Sequence, residues 1–534
     1  MIELYVNGEL LQLYPDTSIP VEEENPLYIR KYISTTHTLP FNVPRIGNDQ
    51  VLGYLSQRDN RARYKQAPAT ISYGGHVMFK GAIRVMASDQ KSYKILFTTK
   101  PPDYVDVNLR DLDMGGNRAD SSGYNKVLPP YTVPYTYPDK DYFLAPYENE
   151  KIKERYVSGY TKHLQTTSFY YRYDYVAGQA HSQEEWFKPC PYVFYVLDRA
   201  LSVPRTGTFF ADAEMRTLCL VSAVWIMVYT DLRISSFKIS SDNFNLEGHV
   251  PDKTLTELLN VLAEYFCMIV FFNKEGQLQM DMLKDMPDND IVDVTEQVDG
   301  EGRHEYNETN GYRITHTRPT EDAIYEKDPA PEGAYIGEYD TVGDLPSGLP
   351  NTYAVVKQDG HYYKYDGSWK ISSYAYLDEI GDDAEEIKVD ACTVTMEDSK
   401  WPISDEAVNR QINVNDRYSF GFRFAFARGT VTDTPSGAVN LLSSDNWTAD
   451  GTKVGDYSLR ITGESGTRKV FWERFMRYRN DVVHIVDVKL SLPAANLAYH
   501  QLVRIGNQVY TWRKKKYNLT MQGISTVNLE LYKR

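Results

Sequence analysis

The sequence predicts a mainly β, multi-domain protein with an α/β middle domain, small β-barrels and a small inserted β-hairpin module. Three observations carry that prediction. Tyrosine is in excess, with 43 Tyr against 20 Phe and 7 Trp, and tyrosine favours half-buried pleated surfaces where its ring packs and its hydroxyl stays wet. Short alternating segments bounded by turn residues fill both ends of the chain. One central stretch carries helical periodicity instead. At about 150 residues per domain, 534 residues suggest three or four domains.

Residues 1–110 read as an N-terminal β-barrel. Asn7-Gly8 is a strong type I′ turn signal between strands at 2–6 and 9–13. Further strands are predicted at 50–55, 69–73, 76–87 and 91–98, with Gly74-Gly75 and Ser88-Asp89-Gln90 as connections. Residues 111–190 are rich in tyrosine and proline with weak periodicity, and read as long loops with a few strands.

Residues 191–290 are the helix-plus-hairpin α/β domain. A first helix spans 192–201. A second begins at Thr254-Leu255-Thr256-Glu257, a capping box in which Thr254 and Glu257 satisfy each other's backbone N–H groups. Leu255, Leu258, Leu259, Leu262 and Phe266 then line one face. A hairpin at 268–272 and 277–283 turns around Asn273-Lys274-Glu275-Gly276, giving helix packed on sheet. Residues 291–338 with 371–402 read as a second β-barrel region, interrupted at 339–370 by the small inserted module, whose strands flank Asp359-Gly360. Residues 403–534 read as a C-terminal β domain with strands at 417–427, 457–462, 482–490, 501–505, 508–513 and 526–532, and a short helix at 471–479.

Composition excludes several classes. The net charge is −15, from 58 basic and 73 acidic residues, the opposite of what phosphate-backbone binding requires. The one basic cluster, Arg513-Lys514-Lys515-Lys516, reads as a solvated or oligomer-facing patch. Cys190, Cys219, Cys267 and Cys392 form no CxxC pair, so they read as small buried hydrophobes in a chain made in a reducing cytoplasm. The start lacks a basic-then-apolar leader. The apolar run between Arg216 and Asp231 falls short of the roughly 18–20 residues of a membrane helix and reads as a buried core element, so no membrane insertion is expected.

Motifs for chemistry fail one by one. Gly463-Glu464-Ser465-Gly466 has Thr467 where a nucleophile elbow needs glycine, and reads as a loop before a helix. His304-Glu305-Tyr306-Asn307-Glu308 ends in Glu where a zinc helix needs His, between Gly302 and Gly311, and reads as a polar loop. Asp285, Asp288, Asp290 and Asp293 lack the spacing of a calcium loop and read as a solvated linker. No phosphate loop is present. The expectation is therefore no catalytic residue, no metal site and no cofactor.

Several segments together resemble a family. Thr38-Leu39-Pro40-Phe41-Asn42-Val43-Pro44 with Leu52-Gly53-Tyr54, Tyr135-Thr136-Tyr137-Pro138-Asp139-Lys140-Asp141-Tyr142, the capped helix and hairpin at 254–283, Gly463-Glu464-Ser465-Gly466 with Phe471-Trp472, and the closing 527–533 stretch are similar to tail hub proteins of tailed phages and prophages of Bacteroides-like hosts. The stretch 342–369 looks like a small β-module inserted into many phage appendage proteins.

That resemblance implies a structural virion protein and not an enzyme. It would be made in the host cytoplasm and placed in the virion tail. There a homotrimer with two barrels per subunit would dock on the tail tube, join baseplate or tail-tip proteins and let DNA pass without specific binding. Tyrosine suits the lateral contacts of such a ring, and part of the acidic excess is expected to face the lumen. Two other readings stand beside it. A carbohydrate- or receptor-binding tail appendage would use Tyr362, Tyr363, Tyr365 and Trp369 as glycan contacts, unless these rings form the module's own miniature core. A polysaccharide or cell-wall hydrolase would need two facing carboxylates in a cleft.

Overall fold

The computed structural model describes residues 1–28, 33–34, 36–54, 66–114, 137–145, 188–221, 246, 249–287, 289–307, 312–316, 330–347, 350–358, 360–374, 385–393, 396–397, 401–402, 421–433, 437–448, 452–461, 463–475, 483–490, 497–525 and 527–533. The chain is mainly β and multi-sheet, and the described strands trace no closed barrel. The expected separation of the two ends gives way to a shared structure. The largest sheet runs through Val298–Asn307, Val483–Leu490, Val527–Lys533, Gln508–Thr520, Ser18–Glu24, His37–Thr38, Ser92–Thr98, His76–Ser88, Gln66–Tyr73, Ile2–Val6 and Glu9–Leu11. Strands from the two ends of the chain therefore share one sheet, and they meet where Ser18–Glu24 pairs with Gln508–Thr520.

The opening hairpin forms as its turn residues dictate. Asn7 and Gly8 take φ of 53° and 83°, and Val6 pairs with Glu9. Along Ile2–Val6 the side chains of Ile2, Leu4 and Val6 are buried and Glu3 and Tyr5 half-buried, the period-two pattern of a one-sided strand. Register shifts at Ile71/Ser72, Val85/Ala87 and Trp512/Lys514 mark bulges that bend so wide a sheet.

Residues 50–54 are not the expected strand. Buried Asn48 donates to the Pro44 carbonyl at 2.7 Å and the Gln12 carbonyl at 2.9 Å, and accepts from Gln12 N at 2.8 Å. Gly53 and Tyr54 then turn through φ of 68° and 55°. One asparagine side chain replaces a strand pairing with a tight turn.

The cross-strand neighbour of Gln508–Thr520 corrects half of the reading of the basic cluster: Lys514 and Lys515 are not solvated, whereas Arg513 and Lys516 are exposed. Glu22, Glu23 and Glu24 lie opposite Lys516, Lys515 and Lys514 in an antiparallel register. Lys515 is 1% exposed and its Nζ lies 2.8 Å from Glu23 Oε2. It also donates to the Leu497 carbonyl at 3.1 Å, while Tyr517 donates to Glu23 Oε1 at 2.9 Å. Lys514 pairs with Glu22 and, at 3.0 Å, with Glu24. Asn25 continues the junction, donating to the carbonyls of Tyr499 and Trp512, each at 2.9 Å. Burial lowers the Lys515 pKa against the opposing pull of Glu23. Lys514 and Lys515 thus form a seam between the two chain ends, while Arg513 and Lys516 stay exposed.

The middle follows the sequence closely. Helices span Val193–Ala200 and Leu255–Tyr265. Thr254 Oγ1 accepts from Glu257 N at 3.2 Å, and Glu257 Oε2 accepts from Thr254 N at 2.7 Å. The second helix packs on the hairpin of Met268–Phe272 and Leu278–Met282, which the short strands Arg205–Thr206 and Ile33–Ser34 extend in parallel. The same core takes in Phe422, Phe424, Phe471 and Trp472 from the C-terminal segment, so that segment shares its hydrophobic interior with the middle. Cys190, Cys219 and Cys267 are buried free thiols. The buried Leu218–Leu220 strand pairs with Phe422–Asp433, while 222–230, the rest of the apolar run, lies outside the described residues. No helix among the described residues is long and apolar enough to cross a membrane.

Other expectations change too. The His304 segment is a strand, Val298–Asn307, because Val483–Leu490 lies alongside and supplies its hydrogen-bonding ladder. Ile291–Asp293, read as linker, pairs in parallel with Leu502–Ile505, and Asp290 accepts from Gln501 Nε2 at 3.1 Å. Residues 457–461 are irregular: Ser458 N donates to Ser465 O and Leu459 N to Ser444 O, each at 2.7 Å. Within 111–190, Tyr142–Ala145 pairs with Lys188–Pro191, while Gly115-Gly116, Pro129-Pro130 and Tyr135-Thr136 lie outside the described residues.

The seam predicts a double-mutant signature. Lys515→Met leaves the Glu23 carboxylate buried without its ammonium and lowers stability by about 3–5 kcal/mol. Lys515→Met with Glu23→Gln restores most of that loss. Denaturant unfolding of the three proteins measures both effects.

Candidate functional site

The inserted module is a four-stranded sheet ordered Ala334–Tyr339, Thr352–Val356, His361–Tyr365, Trp369–Tyr374. Its first strand is parallel to the second and lies beyond the expected 339 boundary. The period of two splits its side chains between faces. Ala354 faces Tyr363 and Val356 faces His361 across the central strands, and all four are buried. They belong to neither of the two large cores. Tyr353 and Val355 occupy the opposite face, with Lys364 and Tyr362 across from them.

The four aromatics expected to act together are therefore divided. Tyr363 is 6% exposed and fills the inner face. Tyr365 and Trp369 face each other across strands, rings edge to face at 5.3 Å, and the Trp369 indole donates to the Pro346 carbonyl at 2.8 Å. Tyr362 sits on the outer face against Tyr353 at 5.7 Å, and Tyr353 lies 5.3 Å from Tyr335, which is 50% exposed. The outer aromatic group is Tyr335, Tyr353 and Tyr362. Strand parity would have found Tyr353. Tyr335 lay outside the expected module.

The inner face is locked to the C-terminal segment. His361 Nε2 bonds the Asp445 carboxylate, and both side chains are 1% exposed. Asp445 N donates to Ser443 Oγ at 2.9 Å, Asn446 N donates to Asp445 Oδ1 at 2.8 Å, and Arg460 Nε lies 3.8 Å from Oδ2. Glu464 N donates to the Gln358 carbonyl as a second tie. Burial pushes the Asp445 pKa up, but the charge and hydrogen bond of His361 and the charge of Arg460 outweigh it and bring the carboxyl from its ordinary 3.8 down to about 2. A His–Asp pair can orient a nucleophile's base. Here both groups are sealed from solvent, and the nearby Ser443 hydroxyl, also buried, accepts from Asp445 N. This pair fastens one unit to another.

A second polar chain continues inward. Arg428 donates from Nε to the Asp445 carbonyl at 3.2 Å and from its terminal nitrogens to Glu214 and the Tyr457 carbonyl. Glu214 also accepts from Asp456 N at 2.9 Å and Tyr457 N at 3.0 Å. A Cβ at Gly455 would fall on the Arg428 guanidinium, which explains a glycine there.

The other motifs are dispersed. Gly463-Glu464-Ser465-Gly466 is a turn closed by Gly466 N donating to Gly463 O at 2.9 Å, leading into the helical turn Arg468–Trp472. Asp293 accepts from Thr295 N at 3.0 Å and Asp285 pairs with Lys284 at 2.6 Å; Asp288 lies outside the described residues. Among the described residues no group of three His, Cys, Asp or Glu side chains is placed to hold a metal ion.

No protein-family model matches the chain, and no curated protein matches it. Among solved structures, the chain is similar to the 43 kDa tail protein of prophage MuSo2 from Shewanella oneidensis, at 10% identity and a TM-score of 0.32, covering 99% of this chain and 95% of that one. It is also similar to the tail protein from Neisseria meningitidis MC58, at 6% identity and a TM-score of 0.30, with the same coverage of each chain. Both scores lie below the level that marks a common fold.

The lowered Asp445 pKa sets the sign of a pH effect. A carboxyl depressed in the folded state contributes stability that is complete above its unfolded value and fades as pH falls through the folded one. Docking of the module should therefore hold at neutral pH and loosen between about 4 and about 2. Hydrogen exchange at 352–365 against pH measures this, and Asp445→Asn should flatten the dependence while weakening docking throughout.

Proposed function

We propose that this chain is a structural protein of a phage-type tail, acting at the distal hub. Copies form a ring, a homotrimer, that joins the tail tube to baseplate or tip proteins and lets DNA pass. The sequence motifs that resemble tail hub proteins run from residue 38 to residue 533 in the family's order, and they motivate the reading.

The observation that carries it is where apolar surface is left uncovered. Among the described residues, most exposed large apolar side chains, Met1, Leu10, Leu39, Ile46, Tyr54, Val77, Met86 and Val105, fall in the first 105 residues, and Tyr335 and Val342 lie in the inserted module. The same unit has a closed core of its own, including Leu4, Ile71, Phe97 and Trp512. A contiguous exposed apolar patch marks contact with other molecules, and this reading takes these side chains as parts of such a surface. A ring needs two complementary lateral surfaces on each subunit, and rigid subunits so that errors in angle do not accumulate. The buried Glu23–Lys515 seam supplies that rigidity. An acidic excess of 73 over 58 keeps nucleic acid from adhering during passage.

Mass photometry and negative-stain imaging of the full chain, alone and with isolated tail tubes, test the reading. Trimers or rings are expected, and Leu10→Glu with Ile46→Glu should shift them to monomers without lowering the melting temperature. A particle that stays monomeric alone and fails to decorate tubes would overturn the proposal.

A further inference from the structure

The module's outer face holds an arrangement that an assembly role does not use. Strand register places Tyr335 opposite Tyr353, Tyr353 opposite Lys364, and Lys364 opposite Lys370. These four residues form one transverse row across all four strands, at steps of roughly 5 Å. Two aromatic rings occupy one half and two ammonium groups the other. Tyr362 lies one step along the strand, its ring against that of Tyr353.

Two like charges directly opposite each other oppose sheet formation. Among the described residues neither Lys364 nor Lys370 joins an ion pair, although this chain carries a net charge of −15. Glu338, opposite Val355, stands on the strand farthest from Lys370. The inner face is already committed to His361–Asp445, so this outer face is not the one that docks on the chain itself. The row thus combines flat rings with uncompensated positive charge beside them.

We infer that the row Tyr335–Tyr353–Lys364–Lys370 is a binding site for an acidic polysaccharide. The apolar face of a pyranose ring lies on Tyr335 and Tyr353, whose hydroxyls reach the sugar hydroxyls. The carboxylate of a neighbouring uronic acid residue meets Lys364 and Lys370 through charge-assisted hydrogen bonds. A peptide would need a pocket or a free sheet edge to supply specificity, and the row lies on a flat face crossing all four strands. This grouping keeps only Tyr362 of the aromatics that the sequence suggested, as a flanking ring, and it replaces the others with residues chosen by register.

Affinity electrophoresis of the full chain in gels containing polygalacturonate or the neutral polymer dextran tests the site. Polygalacturonate should retard the protein strongly and dextran weakly, with retardation falling as salt rises. Lys364→Gln with Lys370→Gln, and separately Tyr335→Ala, should each weaken binding about tenfold, the equivalent of one good contact. Lys364→Arg with Lys370→Arg should retain it. The altered side chains are partly or largely exposed, and an unchanged melting curve checks that the variants fold. Absence of retardation, equal retardation by both polymers, or unchanged binding by the variants would each refute the site. A self-association that Tyr335→Ala abolishes would refute it as well, by making this face a contact between copies.

Discussion

A glutamate near one end of the chain and a lysine near the other, sealed together away from water, constrain everything else in this molecule. An ammonium as buried as that of Lys515 is tolerable only with a carboxylate and further acceptors around it. Glu23, the Leu497 carbonyl and the ring of Trp512 supply them. Because the pairing has to be exact in register, the strands Ser18–Glu24 and Gln508–Thr520 cannot slide by a residue without exposing the seam's apolar neighbours and burying charge unpaired. The strands of the N-terminal unit and those of the C-terminal unit inherit their positions from that one junction.

The same physics recurs where other units meet. His361–Asp445 fixes the inserted module, and Arg428–Glu214 ties the C-terminal segment to the middle. Buried polar pairs of this kind contribute modest net stability, yet each allows only one arrangement of the parts it joins. Apolar cores hold each unit together, and polar locks determine how the units are set against one another.

Local features were readable from the sequence because their causes are local. Asn7-Gly8 makes its turn and Thr254–Glu257 caps its helix whatever the rest of the chain does. The joining of Ser18–Glu24 to Gln508–Thr520 was not readable, since no short window contains both. Lys514 and Lys515 read as solvated because their counter-charges, Glu22-Glu23-Glu24, lie about 490 residues away. Those complementary runs were the one available signal. Residues 50–54 misled for a different reason, as a single buried asparagine outbid strand propensity. At the candidate site, neighbours in sequence alternate between faces, so the Tyr362–Tyr365 cluster dissolved into an inner and an outer set, and residues on three other stretches completed the outer one.

The seam also sets the order in which the molecule can mature. At a ribosomal pace of roughly 5–20 residues per second, the strand at 18–24 waits on the order of half a minute to two minutes before its partner has been made. During that interval its glutamates remain hydrated and the early strands lack their closing neighbour. A prematurely terminated polypeptide never acquires the lysines and so never completes this sheet. Synthesis to the far end thereby becomes a condition of adopting a competent shape, a proofreading step that needs no other protein.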